Sequence, residues 1–538
     1  MNLDLRPLLS RPPVLAALFF PVPLILFCLY PSSFWASDDY QPLALANAVN
    51  LAYRLADHTM YPARGMMGHP GVPYYFTSWI SLALSGYPLA PRGPGFLDTV
   101  ISNVETFHRI TVWVAAVTGA AGLYIFVRAA RSVAPVAVIA AGLLLWLVST
   151  PAALLSFVSP SIDTFAIVIN ALSFVVLLRL AHDRSISPST VILCACVGAL
   201  AYLTKLSYVY VPLALAVAGI ANAAFRREGL ARSSGLSLLF VATLLIVVLA
   251  VGFLVIGEQG FHELRLFHKS ILLHSGHYGT GDDGVVSQRE IWRALAAIPL
   301  DRTYAMPIAL VGGAVLAAGG LVTGITRPRD FPLAVICIGA GVASAASAAI
   351  VMKHYAQHYT AGVAATLPTS LIAGYLLARS WGFRIPTAVT GLVAVALLLI
   401  AYPTMVMLTS LLAARTTVSE LARADLEEIR ALTASGRAVE FAYRTPFAAY
   451  GEGFVVTFGS VPRLTDEYLR SRDKAVSSMM QEQARRDIGA YVIDKSYFPT
   501  VESAKAAENV ALLGSKPVRF RDGDRLIELR TVFVLIPG

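Results

Sequence analysis

The side chains able to do chemistry in this chain are mostly acids, histidines and a few lysines set among apolar runs. Asp38 and Asp39 are adjacent and directly follow an apolar N-terminal stretch. Two neighbouring carboxylates repel each other when both are charged, so the placement asks for a use. Either can take a proton from an acceptor hydroxyl or amine, as a general base does. The pair can hold a divalent metal through oxygen, or cap a helix that begins near Pro42. Asp163 follows Pro160 at the start of another apolar run. It is a second acid for the same cavity, or a carboxylate favoured by a helix N-terminus. Lys205 lies between two short apolar runs. An ammonium there suits a phosphate as a point charge, or snorkels to the membrane surface.

Two further stretches carry ionisable groups. Lys353, His354 and His358 stand beside Tyr355 and Tyr359. Histidines four apart share a face if the stretch is helical and could bind zinc, but no HExxH glutamate accompanies them. A contact to lipid phosphate fits better, with the tyrosines at headgroup depth. In a long polar stretch, His274, His277, Asp282 and Asp283 alternate with Gly276, Gly279, Gly281 and Gly284. Metal binding is one use for these residues; the glycines favour a mobile lid.

The elements that must position these groups follow from composition. Of 538 residues, 56% are hydrophobic and 14% charged; soluble domains carry roughly 25% charged residues. Several apolar runs reach the roughly 20 residues a membrane helix needs, so the chain reads as a polytopic α-helical membrane protein. The net charge of +9 does not point to nucleic acid. Its arginines cluster in short loops between alternate spans: Arg128 and Arg131, Arg179 and Arg184, Arg226, Arg227 and Arg232, Arg327 and Arg329, Arg379 and Arg384. That is the positive-inside pattern of cytoplasmic loops. The four cysteines all fall in apolar runs, and none has redox or zinc spacing.

About eleven spans result, with the N-terminus cytoplasmic and the first span, near Pro12 to Tyr30, retained in the membrane. Residues 1–413 form the membrane part, with outer loops at 31–109 and 257–303. Interface helices are expected at Pro42–Asp57 and Tyr74–Leu84. Residues 414–538 read as a small extracytoplasmic α/β domain. It opens on an amphipathic helix, Arg415–Thr433, with later helices at Asp466–Asp487 and Thr500–Asn509. Strands are expected at Ala438–Tyr443, Phe454–Phe458, Ala490–Asp494, Val518–Arg521, Leu526–Leu529 and Val532–Ile536. On this topology the acidic stretch, Asp163, Lys205 and the Lys353 turn share the outer face. Ionisable groups at membrane depth mark function by default.

The order of these motifs resembles the C-type (GT-C) membrane glycosyltransferases, nearest to the protein O-mannosyltransferases and the lipid A aminoarabinose transferases. The features are Asp38-Asp39 after the first span, His69-Pro70 before Tyr74-Tyr75, and Asp163 in Ser159-Pro160-Ser161-Ile162-Asp163. Ala201-Tyr202-Leu203-Thr204-Lys205 and the turn from His354-Tyr355 to Pro368 complete the series. Leu206 and Gly71 depart from the family, which has glycine and a second proline there. The resemblance implies sugar transfer from a polyprenyl-phosphate-linked donor to an acceptor glycolipid, polysaccharide or protein outside a bacterial inner membrane. It implies Asp39 or Asp38 as the group that orients or deprotonates the acceptor, with Asp163 assisting. Lys205 and His354, with Lys353 and His358, would hold the donor phosphate. His69, Tyr74 and Tyr75 would line the substrate cavity, and Asp38 and Asp39 are the candidate ligands if a divalent metal takes part. A lipid-linked glycan flippase would place its charges near the midplane. A polysaccharide polymerase or ligase would lean on a large arginine-bearing loop, and Arg265, Arg289, Arg293 and Arg302 flank the one here.

Overall fold

A computed structural model describes residues 71–87, 104–158, 162–183, 185–274, 287–383, 387–432, 488–495, 498–506 and 521–538. It also describes short pieces at 29, 48–49, 51–52, 99–100, 284, 438–441 and 476–478. The first span, Asp38, Asp39, His69, His277, Asp282, Asp283 and the expected strand Phe454–Phe458 lie outside the described residues. Of the expected helix Pro42–Asp57, Ala48, Val49, Leu51 and Ala52 are helical and buried.

The described residues fall into two compact units: 71–74 with 114–408, and 29–52 with 75–113 and 409–538. Eight described helices are long and apolar enough to cross a membrane, and two shorter apolar ones, Val136–Val148 and Pro188–Thr204, accompany them. In the first unit the order is α1 (Val104–Ala130, shared with the second unit), α2 (Val136–Val148), α3 (Pro151–Val158) and α4 (Ala166–His182). A 3₁₀ turn, Ile162–Phe165, leads into α4. Then come α5 (Pro188–Thr204), a 3₁₀ turn (Leu206–Val209), α6 (Tyr210–Phe225), α7 (Leu230–Leu273), α8 (Gln288–Asp301), α9 (Ala305–Thr326) and α10 (Phe331–Lys353). A 3₁₀ turn, Gln357–Tyr359, precedes α11 (Thr360–Ala364) and α12 (Leu367–Ser380).

Hydrogen bonds define the two ends of this helical unit. At one end Ala305 donates to the Ser149 carbonyl at 2.9 Å, and Tyr355 donates to Asp301 at 2.8 Å. At the other, Asn222 donates to the Leu180 carbonyl at 2.7 Å, Arg232 to Ile186 at 3.2 Å, and Arg226 lies over the Phe331 ring at 4.6 Å. Arg226 and Arg232 of the loops lie at this second end, while Asp163 and Lys205 lie at the first, where Tyr359 covers Lys205 and Thr360 bonds Thr150. Small residues let α9 and α10 approach until backbones touch, as membrane helices do. A Cβ on Gly313 would stand 2.6 Å from the Ala345 nitrogen, and one on Gly341 would stand 2.5 Å from the Gly313 oxygen.

The outer loop expected over 257–303 is largely helical instead. The chain turns sharply at Gly257, whose φ of 70° and ψ of −176° suit glycine alone. Helical structure resumes and runs to Leu273, with Phe261 stacked on Phe253. Gln288–Asp301 is a second helix. The local reason is a stripe that charge obscures: Phe261, Leu264, His268 and Ile271 recur at helical spacing, and Leu264 is buried.

The second unit contains the end of α13 (Thr387–Leu432) and a five-stranded sheet. The last span and the charged helix expected separately at Arg415 are one continuous helix, through Pro403. The sheet order is β2-β1-β3-β5-β4, with β1 Ala438–Phe441, β2 Val476–Ser478, β3 Ile488–Asp494, β4 Arg525–Glu528 and β5 Val532–Ile536. β2 and β3 run parallel to β1, and β5 is antiparallel to β3 and β4. Period-two alternation splits its side chains between two faces. Ala490, Val492, Val532 and Val534 pack on Ala422, Leu426 and Ile429 of α13. Ile493, Phe533 and Leu535 pack on Phe498 and Ala504, the latter in α14 (Val501–Ala506). Val476–Ser478 is a strand where a helix was expected over 466–487: pairing with β1 overrides local helical preference.

Candidate functional site

Lys205 is the residue where α5 stops. Its backbone is extended, with φ −154° and ψ 136°. A helix end leaves carbonyls to satisfy, and the Thr204 carbonyl accepts from Gly71 at 3.1 Å. Gly71 has φ 59° and follows His69-Pro70 directly. Gly71 is thereby tied to the lysine hairpin. Val72, next in the chain, packs on Ala199 and Leu203 of α5.

The lysine is not alone. It is fully buried, and its Nζ donates to both carboxylate oxygens of Asp163 at 2.9 and 2.7 Å. The Tyr208 hydroxyl donates to Asp163 Oδ1 at 2.8 Å. The Tyr359 ring covers the same ammonium, its centroid 4.4 Å from Nζ, a cation–π contact. Three segments distant in sequence therefore meet: the turn before α4, the junction of α5 and α6 from Lys205 to Tyr208, and the turn before α11. Each charge sits where helix ends favour it, the acid in the first turn entering α4 and the lysine at the close of α5. Both readings of Asp163 thus hold together: it begins a helix and it faces a cation.

The tyrosines are held from behind. Gly362 in α11 gives Tyr208 its room, since a Cβ there would stand 2.5 Å from Tyr208 Cε1. The Tyr208 and Tyr210 rings meet edge to face at 5.9 Å. Asn170 donates to the Tyr210 hydroxyl at 3.0 Å, which donates to the Gly362 carbonyl at 3.3 Å. Thr150 and Thr360 share a hydrogen bond of 2.7 Å, holding the Tyr359 turn to the start of α3.

The late basic turn packs beside this cluster without forming one helix face. α10 ends at Lys353, and His358 belongs to the separate turn Gln357–Tyr359, so the two histidines do not share a helical face as their spacing allowed. Lys353 donates to the Ile271 carbonyl at 2.6 Å, and His354 Nε2 lies 3.3 Å from the same oxygen. His358 meets Tyr359 edge to face, with centroids 4.2 Å apart. Tyr202 and His268 bond at 2.8 Å, joining α5 to the segment after Gly257. Burial pushes the His268 ring below the usual histidine range and the Tyr355 hydroxyl up to about 12. Tyr74 and Tyr75, expected to line the substrate cavity, are both buried in the helix Val72–Leu84. Phe76, Ile80 and Leu84 of that helix are exposed, as on an interface helix.

Asp163, Lys205, Lys353 and His354 are thus brought to one end of the helical unit. Tyr208 and Tyr359 as partners of the ion pair were not read from sequence. The available signal was Tyr208 three residues beyond a helix-ending lysine. Among the described residues no group of three or more metal-ligating side chains is present.

No family model matches the chain, and no curated protein does. Among solved structures it shares its fold with ArnT from Cupriavidus metallidurans, a lipid A aminoarabinose transferase. One such structure, bound to undecaprenyl phosphate, is 15% identical with a TM-score of 0.51. Another, in the apo state, is 13% identical with a TM-score of 0.50. Each likeness covers 96% of this chain and 97% of the other.

Proposed function

We propose that this protein is a membrane glycosyltransferase that moves a sugar from a polyprenyl-phosphate donor to an acceptor on the extracytoplasmic face. The observation that carries the reading is the buried Lys205–Asp163 pair, at one helix end of a fold shared with ArnT. A buried ion pair is weak as a source of stability, and the pair here is met by the Tyr208 hydroxyl and the face of the Tyr359 ring. That suits a site that exchanges anions. On donor binding, a phosphate oxygen takes one or more of the ammonium hydrogen bonds now made to Asp163. Tyr208 then steadies the released carboxylate. As the bond between sugar and phosphate breaks, the leaving phosphate gains negative charge, and a fixed ammonium stabilises that charge more than the ground state. Lys353 and His354 supply further donors beside it. Asp39 or Asp38 is the proposed group on the acceptor side, with His69 nearby in the family motif.

Purified protein in liposomes is supplied with radiolabelled polyprenyl-phosphate sugars and an acceptor lipid extract. Labelled acceptor forms with the wild type, and transfer falls by about a hundredfold or more in Lys205→Gln. Full transfer by the lysine variant removes Lys205 from the chemistry. Movement of donor across the bilayer without transfer would establish the flippase reading instead.

A further inference from the structure

At the arginine-bearing end of the helical unit, opposite Lys205, a cavity of about 760 Å³ opens between α4, α5, α6 and α7. That volume lies in the range of specific ligand pockets, roughly 300–1,000 Å³. Its walls are apolar, with Leu180, Val191, Leu215, Ile220, Leu236 and Phe240 among them. One margin is polar, carrying Ser233, Ser234 and Ser237 of α7 and, just before that helix, Glu228. Glu228 is the unusual member. Its side chain is 8% exposed, and its Oε2 is buried and accepts no hydrogen bond among the described residues. A buried carboxylate oxygen without a donor is costly. Arg232 Nε stands 3.6 Å from it, while another Arg232 nitrogen donates to the Ile186 carbonyl. Arg227 is exposed beside it. Arg226, by contrast, is engaged with Asn222 and the Phe331 ring.

An apolar hollow, a buried carboxylate oxygen that only a 3.6 Å ion pair to Arg232 serves and exposed guanidinium groups together describe one kind of ligand. We propose that this cavity binds an aminophospholipid from the cytoplasmic leaflet. Its acyl chains fill the apolar walls. Its primary ammonium donates to Glu228, and its phosphate meets Arg232 and Arg227. Carboxylate, ammonium, phosphate and the two guanidinium groups then alternate in sign. A phosphatidylglycerol brings no cation to Glu228. A phosphatidylcholine brings a quaternary ammonium that has no hydrogen to donate. The site lies at the far end of the α5 and α6 hairpin that carries Lys205, and it is independent of the transfer reaction.

The test is lipid retention by the full chain, purified in detergent and followed by native mass spectrometry. The probes are dioleoyl phosphatidylethanolamine, phosphatidylcholine and phosphatidylglycerol, added singly. Wild type retains phosphatidylethanolamine on the order of tenfold better than the other two, about one charge-assisted hydrogen bond. Glu228→Gln brings that preference close to one. Gly219→Leu is the second variant, because a Cβ at this cavity-lining glycine meets nothing within 4 Å. Its side chain enters the hollow through a Cβ that meets no protein atom, so its unfolding temperature holds while retention falls. Equal retention of the three lipids, a preference for phosphatidylglycerol, or unchanged retention in Gly219→Leu overturns the proposal.

Discussion

Substituting Asp163 by Asn tests the central pair most directly. The carboxylate accepts two hydrogen bonds from Lys205 and one from Tyr208. In the variant the amide has one oxygen and no charge, and the ammonium stays fully buried under the Tyr359 ring. Breaking one member of a buried pair costs about 3–5 kcal/mol, chiefly from the charge left behind. The Tyr208 bond contributes about 1 kcal/mol more. Removing the lysine charge as well, in Asp163→Asn with Lys205→Met, takes away both desolvation penalties. A buried pair replaced by neutral groups is often nearly neutral in stability. The double variant therefore recovers most of the loss, with a coupling energy of about 3 kcal/mol. Unfolding of the four proteins of this cycle in mixed micelles measures the coupling, and sugar transfer is assayed on the same samples. The double variant unfolds like wild type and transfers nothing, separating stability from chemistry. An Asp163→Asn loss below about 1 kcal/mol, or strict additivity of the two substitutions, refutes the argument, since surface-like pairs behave that way.

Other expectations follow from single contacts. Gly362→Ala places a methyl 2.5 Å from the Tyr208 ring, so Tyr208 leaves Asp163; transfer falls roughly tenfold or more for an overpacking cost of about 1–3 kcal/mol, read by kinetics and unfolding together. Asp425 is fully buried and accepts from the Arg530 and Thr531 backbones, the Thr531 hydroxyl and the Arg530 guanidinium. Asp425→Ala strips the turn between β4 and β5 of these bonds and costs on the order of 2–3 kcal/mol, seen as faster hydrogen exchange across 525–536. Burial lowers the folded-state pKa of His268, so the unfolded ring takes up its proton first as pH falls. The stability this ring contributes is present above the ordinary histidine value and is lost as pH drops below it. The protection of 258–273 against hydrogen exchange, referred to the intrinsic rate at each pH, therefore falls between about pH 7 and pH 5, and the fall is absent in His268→Gln.

The spans were legible because apolar length and arginine placement are local signals. Asp163 and Lys205 were legible as costly charges in such surroundings. Their pairing was not, because it joins positions 42 apart in sequence, and the crossing of helices that permits it is set by packing. The signs were consistent with it: an acid where one helix begins and a base where the next one ends. Tyr208 was hidden by its neighbours, since a tyrosine in an apolar run reads as membrane filling. The helix after Gly257 was hidden differently. Its glycines and charges read as loop punctuation, although Phe261, Leu264 and His268 carry a helical period that only burial makes decisive. Val476–Ser478 shows the opposite error, a stretch of helical preference drawn into a sheet edge by a parallel partner.

The geometry also bears on why Lys205 ends a helix instead of lying within one. A lysine inside α5 would have a side chain leaning back toward the helix start. At Lys205 the backbone is extended, so the ammonium reaches across to the turn before α4 while the chain re-enters a helix through Leu206–Val209. Tyr208 then falls on the same carboxylate because its turn begins at the lysine: the Lys205 carbonyl accepts from the Tyr208 N–H at 2.8 Å. Gly71 satisfies the carbonyl that this break exposes. The interruption of the helix, the glycine after His69-Pro70 and the tyrosine are thus parts of one device. Changing any one of them moves the ammonium before it changes the charge.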